Sequence, residues 1–154
     1  MSMNTVPERL AALRAAMAAN GVAVYLIPVG DPHASEYLPA HYTSLTWFSG
    51  FHGENSNLVV TRTGSALWAD GRYFVQAEKE LAGTEIELQR MGEPGVPTVE
   101  EYCADALNEG EVLGLCGLTA STALVNGLKK ALEKKGASIK TLNLEDELWT
   151  EGRP

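Results

Sequence analysis

The sequence is short of cysteine and of positive charge, and each shortage excludes a class of protein. The two cysteines of its 154 residues, Cys103 and Cys116, have apolar neighbours and form neither a redox pair nor a metal-type pair. This pattern favours buried, reduced thiols and a cytosolic protein. Lys and Arg number 12 against 20 Asp and Glu, for a net charge of −8. Nucleic acid binds to a face rich in Lys and Arg, so we expect no nucleic-acid partner.

Long apolar runs are also lacking. No stretch approaches the ~20 apolar residues of a membrane span, and the N-terminus does not have a basic region followed by an apolar run. We therefore expect neither a signal peptide nor a membrane partner. The 45% of hydrophobic residues is nevertheless enough for one globular domain with its own core.

Most motifs of catalysis and metal binding are missing. The three histidines, His33, His41 and His52, fall in one loop region without the spacing of a helical metal site and without a cysteine partner. No serine lies in a G-x-S-x-G elbow, and the glycines near Gly50 lack the spacing of a phosphate loop. The residues thus predict no catalytic group and no metal site on this chain.

The elements that are present alternate between helix and strand. Their predicted order is α–β–β–β–α–β–α–β–α–β, which indicates an α/β fold with a mixed six-stranded sheet, a β-hairpin and flanking helices. Residues 30–49 are predicted to be a long loop with a helical turn near Ser35–Leu38. The hairpin turns at Arg62-Thr63-Gly64, with Gly64 placed for a left-handed conformation. The other predicted elements are helices that begin at the caps Thr5, Asp70, Thr98 and Thr119, and strands over residues 22–29, 85–91, 111–117 and 138–142.

Two stretches carry side chains of interest. In "LTWFSGFHGENSN" the aromatic residues Trp47, Phe48 and Phe51 alternate with small and polar residues, which fits either a loop that closes the edge of the sheet or a ligand pocket. In "SALWADGRYFVQAEKEL" a strand passes into a helix through a tight turn.

The turn itself is explained by local chemistry. Asp70 is placed to cap the helix with its carboxylate, and Gly71 permits a φ value or a close approach that a side chain would block. Burial of apolar surface does not explain an arginine at position 72. It can form a bidentate pair with Asp70 or another acid, or it can point outward at an anionic partner.

Four segments together resemble a known family. The segments "SEYLP", "WFSGFHG", "ALWADGRYFVQAEKEL" and "LWTEGRP" resemble, in this order, the N-terminal domain of Xaa-Pro aminopeptidases of the creatinase/prolidase family. The similarity extends from the first helix to Pro154. One departure is the run Gly-Glu-Asn-Ser-Asn at 53–57, where relatives usually carry a Gly-Ser-Ala-Gly-like run.

The resemblance implies a domain without catalytic residues. It implies a creatinase/prolidase N-terminal-like domain over 1–148 and the start of a linker at 149–154. The parent would be a cytosolic metalloaminopeptidase with three domains that removes the residue before proline, and this chain alone would be inactive. Catalysis would belong to a missing C-terminal domain, where two Asp, one His and two Glu hold two divalent metals, usually manganese.

The resemblance also implies partners and site residues. The partners are the missing C-terminal domains, a peptide with proline at its second position, and a second copy in a homodimer. The domain would shape access to the active site, with Arg72 as the first candidate for substrate binding and His52 and Tyr73 after it. Asp70 and Gly71 would form the structural turn. Two alternatives stay open: the N-terminal domain of a prolidase or a creatinase-like amidinohydrolase, and a stand-alone binding or dimerisation module.

Overall fold

The computed structural model describes residues 5–28, 44–52, 56–115, 122–144 and 148–149. None of the helices in these ranges combines the length and the apolar character that crossing a membrane requires. The described elements are α1 (Val6–Ala19), β1 (Val24–Pro28), α2 (Ser44–Ser49), β2 (Asn57–Thr61), β3 (Ser65–Ala69), a 3-10 turn (Gly71–Tyr73), α3 (Phe74–Glu80), β4 (Glu87–Arg90), α4 (Val99–Ala106), β5 (Val112–Leu115), α5 (Thr122–Glu133) and β6 (Ser138–Thr141).

The strands form one six-stranded mixed sheet in the order β4-β3-β2-β1-β5-β6. Strand β2 is antiparallel to both of its neighbours, and every other pair is parallel. The predicted fold class and the hairpin between β2 and β3 are therefore confirmed. Because only β2 is reversed, the carboxyl ends of the other five strands lie at the same edge of the sheet. Asp70 follows β3 and lies at this carboxyl edge.

The helices cover the two faces of the sheet separately. Helices α1, α2 and α3 pack on one face, and their buried residues form a cluster with Tyr25 and Ile27. Helices α4 and α5 pack on the other face, where Val24 and Leu26 point. Successive side chains of β1 therefore point into the cores on opposite faces of the sheet, as the two-residue period of a strand requires. Cys103 on α4 is fully buried and its thiol is free, and this burial raises its pKa. Cys116 lies outside the described residues.

Two helix caps follow the sequence signals. The backbone N–H of Glu8 donates to the Thr5 hydroxyl oxygen at 3.3 Å, which caps α1. At α4 the capping box is complete: the Glu101 N–H donates to Thr98 Oγ1, and the Thr98 N–H donates to Glu101 Oε1, both at 3.1 Å. The predicted cap Thr119 and the predicted turn at Ser35–Leu38 lie outside the described residues.

Helix α2 is a correction, because residues 44–49 were predicted to belong to a loop. Leu45 and Phe48, three positions apart, are both buried in the core. The Ser49 hydroxyl donates to the Leu45 carbonyl at 2.5 Å, and the Thr46 hydroxyl donates to the Phe51 carbonyl at 2.8 Å. A helix of six residues is too short for its period to stand out, and tertiary packing rather than propensity stabilises it.

The hairpin turn also differs from its prediction, because Gly64 is not among the glycines with positive φ in the described part of the chain. Thr61 organises the turn instead. Its Oγ1 accepts hydrogen bonds from the N–H groups of Gly64 at 3.0 Å and Thr63 at 3.4 Å and donates to the Gly64 carbonyl at 3.1 Å. The Thr61 hydroxyl thus closes a turn that was expected to need a glycine in the left-handed conformation.

Candidate functional site

Asp70 shapes the turn between β3 and α3. Its backbone is extended, and its Oδ1 accepts a hydrogen bond from the Arg72 N–H at 3.0 Å. The carboxylate thereby caps the 3-10 turn Gly71–Tyr73, which continues directly into α3. A side-chain oxygen at such a position replaces the backbone acceptor that the first helical N–H groups lack.

Arg72 folds back onto the same carboxylate. Its Nη2 lies 3.0 Å from Asp70 Oδ2 and its Nε 3.4 Å from Oδ1, a two-point contact. The Arg72 side chain is nevertheless 70% exposed, whereas that of Asp70 is 17% exposed. The Arg72 Cζ lies 5.4 Å from the ring centroid of Tyr73. The structure therefore contains the bidentate pair that the sequence left open, with the guanidinium still accessible from outside.

Gly71 does not need to be glycine for either of the reasons offered by the sequence. Its φ is not in the left-handed region. A Cβ added to it would have no heavy atom of the described chain within 4 Å. Within the described residues, the turn leaves open space above Gly71 beside an exposed arginine.

His52 is bound twice by one carboxylate. Its backbone N–H donates to Glu80 Oε1 at 3.1 Å, and its ring Nδ1 lies 2.5 Å from Glu80 Oε2. Gln76 Nε2 also donates to Glu80 Oε1, at 2.7 Å. Partial burial alone would raise the pKa of Glu80, but the hydrogen bonds from Gln76 and His52 outweigh it and lower this pKa. The His52 side chain remains 67% exposed.

A ring contact joins Phe51, the residue before His52, to the turn. Phe51, which is fully buried, packs edge-to-face on Tyr73 with ring centroids 6.0 Å apart. Tyr73 in turn lies beside Arg72. We call the set formed by His52, Gly71, Arg72, Tyr73 and Glu80 the turn surface; it contains the three residues predicted as substrate contacts.

Sequence reasoning did not find Glu80. It belongs to a helix with ordinary polar residues, and its partner His52 is 28 positions away. No local spacing links the two. Among the described residues no group of three or more His, Cys, Asp or Glu is arranged to hold a metal ion. His33 and His41 lie outside the described residues.

The aromatic segment forms part of the core. Phe48 and Phe51 are completely buried, which agrees with a segment that closes the sheet rather than one that lines a pocket. Trp47 has two ring contacts: the Arg9 Cζ lies 4.4 Å from its ring centroid, and Trp149 stacks on it with centroids 5.4 Å apart and planes at 16°. Trp149 is only 7% exposed, so the chain is held against this face at residue 149.

A separate groove of about 350 Å³ lies at the opposite, hairpin edge of the sheet. Its polar groups include Arg14, Arg62 and Glu111. Arg62 Nη2 lies 2.6 Å from Glu111 Oε2, and Arg14 Nε donates to the Thr61 carbonyl at 2.8 Å. These groups are thus engaged with the protein itself. None of the residues that the sequence singled out as substrate contacts lines this groove.

Known proteins resemble this chain over its whole length. It is 40% identical to Aminopeptidase P2 of Arabidopsis thaliana over 97% of the chain and 22% of the relative. It is also 40% identical to a probable Xaa-Pro aminopeptidase P of Sordaria macrospora, over 100% of the chain and 25% of the relative. The chain thus spans about a quarter of the length of these relatives.

Solved structures give the same result. An X-prolyl aminopeptidase of Caenorhabditis elegans, described as a cytosolic enzyme with a di-nuclear active site, matches with a TM-score of 0.88 and 33% identity. The match covers 98% of this chain and 26% of that one. The N-terminal domain of the cytoplasmic peptidase PepQ of Mycobacterium tuberculosis matches with a TM-score of 0.64, 26% identity and coverage of 90% and 95%.

The family assignment rests on one further match. Residues 9–148 fit the Creatinase/Prolidase N-terminal domain, which is most of the 154-residue chain. The chain therefore belongs to the Creatinase/Prolidase N-terminal domain family.

Proposed function

We propose that this chain is the non-catalytic N-terminal domain of a larger, metal-dependent Xaa-Pro aminopeptidase, which removes the N-terminal residue before proline. One observation carries the proposal: 98% of the chain superimposes on only 26% of the Caenorhabditis elegans enzyme, at a TM-score of 0.88. Relatives at 40% identity bear the names of aminopeptidases and extend to about four times this length. The chemistry would then belong to the remaining three quarters of the parent.

The parent would hold two divalent metals in that other part, and we propose that they are manganese. A metal pair lowers the pKa of a bound water and clamps the attacking and leaving groups of an amide hydrolysis. The description of the Caenorhabditis elegans enzyme as cytosolic and di-nuclear supports both the metal pair and a cytosolic location. We extend the proposal to a homodimeric parent that acts on peptides with proline at their second position.

The role of the domain itself would be to border the opening of the active site and to contribute to subunit contacts. The turn that follows β3 supports this role, because Asp70 lies at the carboxyl edge of the sheet, where open α/β sheets bind their ligands. Trp149 supports it as well. It stacks on Trp47 of α2, on the face of the sheet that also carries α3. With a domain over 1–148 and a linker from 149, the rest of the parent would leave from the face that carries the turn surface.

Substrate profiling of the full-length parent tests this function. We expect hydrolysis of longer Xaa-Pro peptides, its loss with a chelator, and its recovery with Mn²⁺. Cleavage of Xaa-Pro dipeptides alone would favour a prolidase. Hydrolysis of creatine would favour an amidinohydrolase. An intact mass of the native protein near 16.5 kDa would instead identify a stand-alone module.

Arg72→Ala in the full-length parent tests the substrate side of the turn surface. A charge-assisted hydrogen bond contributes about 1.5–3 kcal/mol, so we expect kcat/KM for Xaa-Pro peptides to fall about 10- to 100-fold. The exposed pair with Asp70 contributes little to folding, so the thermal midpoint should hardly change. Lys79→Ala, which removes an exposed charge from α3, is the matched control. An unchanged kcat/KM would exclude Arg72 from the substrate site.

A further inference from the structure

His52 is held more tightly than an exposed histidine needs to be. Both its backbone N–H and its ring Nδ1 contact the Glu80 carboxylate, although two thirds of its side chain faces outward. The backbone hydrogen bond alone would attach the segment to α3, and the buried ring of Phe51 already anchors that segment in the core. The additional contact to the ring fixes the direction in which the imidazole faces.

A carboxylate at Nδ1 determines the chemistry of the other ring nitrogen. When Nδ1–H donates to Glu80, the neutral imidazole carries its lone pair on Nε2. The carboxylate also holds the ring in one orientation. Gln76 donates to Glu80 Oε1 at 2.7 Å and so limits the freedom of the carboxylate. The result is an oriented hydrogen-bond acceptor at Nε2.

The position of this acceptor fits a peptide. Phe51, the chain neighbour of His52, contacts Tyr73, which is next to Arg72, and the Arg72 guanidinium is a donor. A peptide backbone presents N–H donors and C=O acceptors in alternation. An oriented acceptor at His52 and an exposed donor at Arg72 therefore match both kinds of backbone group.

Resting on the function proposed above, we propose that His52 is a substrate-side residue whose Nε2 accepts a hydrogen bond from an N–H of the peptide, and that Glu80 is its positioning residue. His52 contacts the substrate, and Glu80 acts only through His52. The inference assigns a role to Glu80 and selects one of the two ring nitrogens of His52.

Two amide substitutions separate the ring nitrogens in the full-length parent. His52→Asn places an amide near the Nδ1 position, so it can still donate to Glu80 but lacks a group at Nε2. His52→Gln places an amide near the Nε2 position and gives up the contact to Glu80. One neutral hydrogen bond corresponds to about a five- to tenfold effect, so we expect His52→Asn to raise KM for Xaa-Pro peptides by this factor with kcat retained. His52→Gln should recover part of this loss.

Glu80→Gln tests the positioning role. It removes the charge that orients the ring, so we expect KM to rise in the same direction as in His52→Asn but by a smaller factor. The thermal midpoint of each variant provides the structural control. If His52→Asn retains the wild-type KM, or if all three variants lose activity only in proportion to their thermal midpoints, the inference is overturned.

A second readout separates this inference from the proposed function. Nitrogen NMR of the His52 ring in the 154-residue chain reports the tautomer directly, and in the neutral ring we expect the proton on Nδ1. A proton on Nε2 would overturn the inference whatever the full-length parent hydrolyses. A wild-type parent that cleaves no Xaa-Pro peptide would refute the proposed function, whereas cleavage with an unaffected His52→Asn would refute only the role of His52.

Discussion

Gly114 and Gly71 show how differently two glycines of one domain depend on the lack of a side chain. A Cβ on Gly114 would come within 2.7 Å of Leu142 Cδ2 and 3.0 Å of Val22 Cγ1, both of them in packed surroundings. We expect Gly114→Ala to lower the free energy of unfolding by about 1–3 kcal/mol, the usual cost of overpacking a core. Urea unfolding of the 154-residue chain measures the change.

Gly71→Ala is the control for this prediction. Its Cβ would meet no heavy atom of the described chain within 4 Å, and its φ suits any residue. The free energy of unfolding should stay unchanged or rise by up to about 1 kcal/mol, because alanine restricts the unfolded chain. Equal destabilisation by both substitutions would contradict the packing described around β5.

These residues also show what the sequence can predict at this scale. The cap at Asp70 was predictable, because its partner lies two positions away and the chemistry is local. The reason offered for Gly71 was wrong, since only coordinates reveal the space around a backbone atom. The pairing of His52 with Glu80 was out of reach, because the fold brings together residues that no sequence spacing connects.

The β2–β3 hairpin depends on one hydroxyl. Thr61 Oγ1 contacts both the N–H and the carbonyl of Gly64, and Thr61 itself is buried at the end of β2. Thr61→Val keeps the β-branched shape and the hydrogen bond from the Thr61 backbone N–H to the Gly64 carbonyl, but it removes the acceptor of the Gly64 and Thr63 N–H groups. We expect a loss of about 0.5–1.5 kcal/mol in the free energy of unfolding, because a partly buried hydrogen bond is lost. Thr63→Val, at an exposed position of the same turn, should change it by no more than about 0.5 kcal/mol.

Equal effects of Thr61→Val and Thr63→Val would mean that the Thr61 hydroxyl does not organise the turn.

The helices differ in how well the sequence predicts them. Helices α1 and α4 begin at capping residues, and both were predicted. Helix α2 has only six residues, and it depends on the burial of Leu45 and Phe48 in a core that other elements build.

At the scale of the whole molecule, residues near both ends of the chain pack against Trp47 on one face of the sheet. Arg9 of α1 and Trp149 both contact the ring of Trp47. The alternation of helices and strands along the chain was predictable, because apolar runs are a local signal. This closure was not predicted, because residues 149–154 were expected to start a linker and the stack joins three segments that are distant in sequence.

Trp149→Ala tests whether residue 149 belongs to the folding unit. The side chain is 7% exposed and stacked on a second indole, so its removal should lower the free energy of unfolding by about 3–5 kcal/mol. The fluorescence of Trp47 should shift to longer wavelength in the folded state, because the ring gains contact with water. Val75→Ala, at a side chain that is 66% exposed, is the control and should change stability by no more than about 0.5 kcal/mol. If Trp149→Ala changes neither stability nor fluorescence, the segment does not pack on Trp47, and a parent chain would leave this domain without a fixed direction.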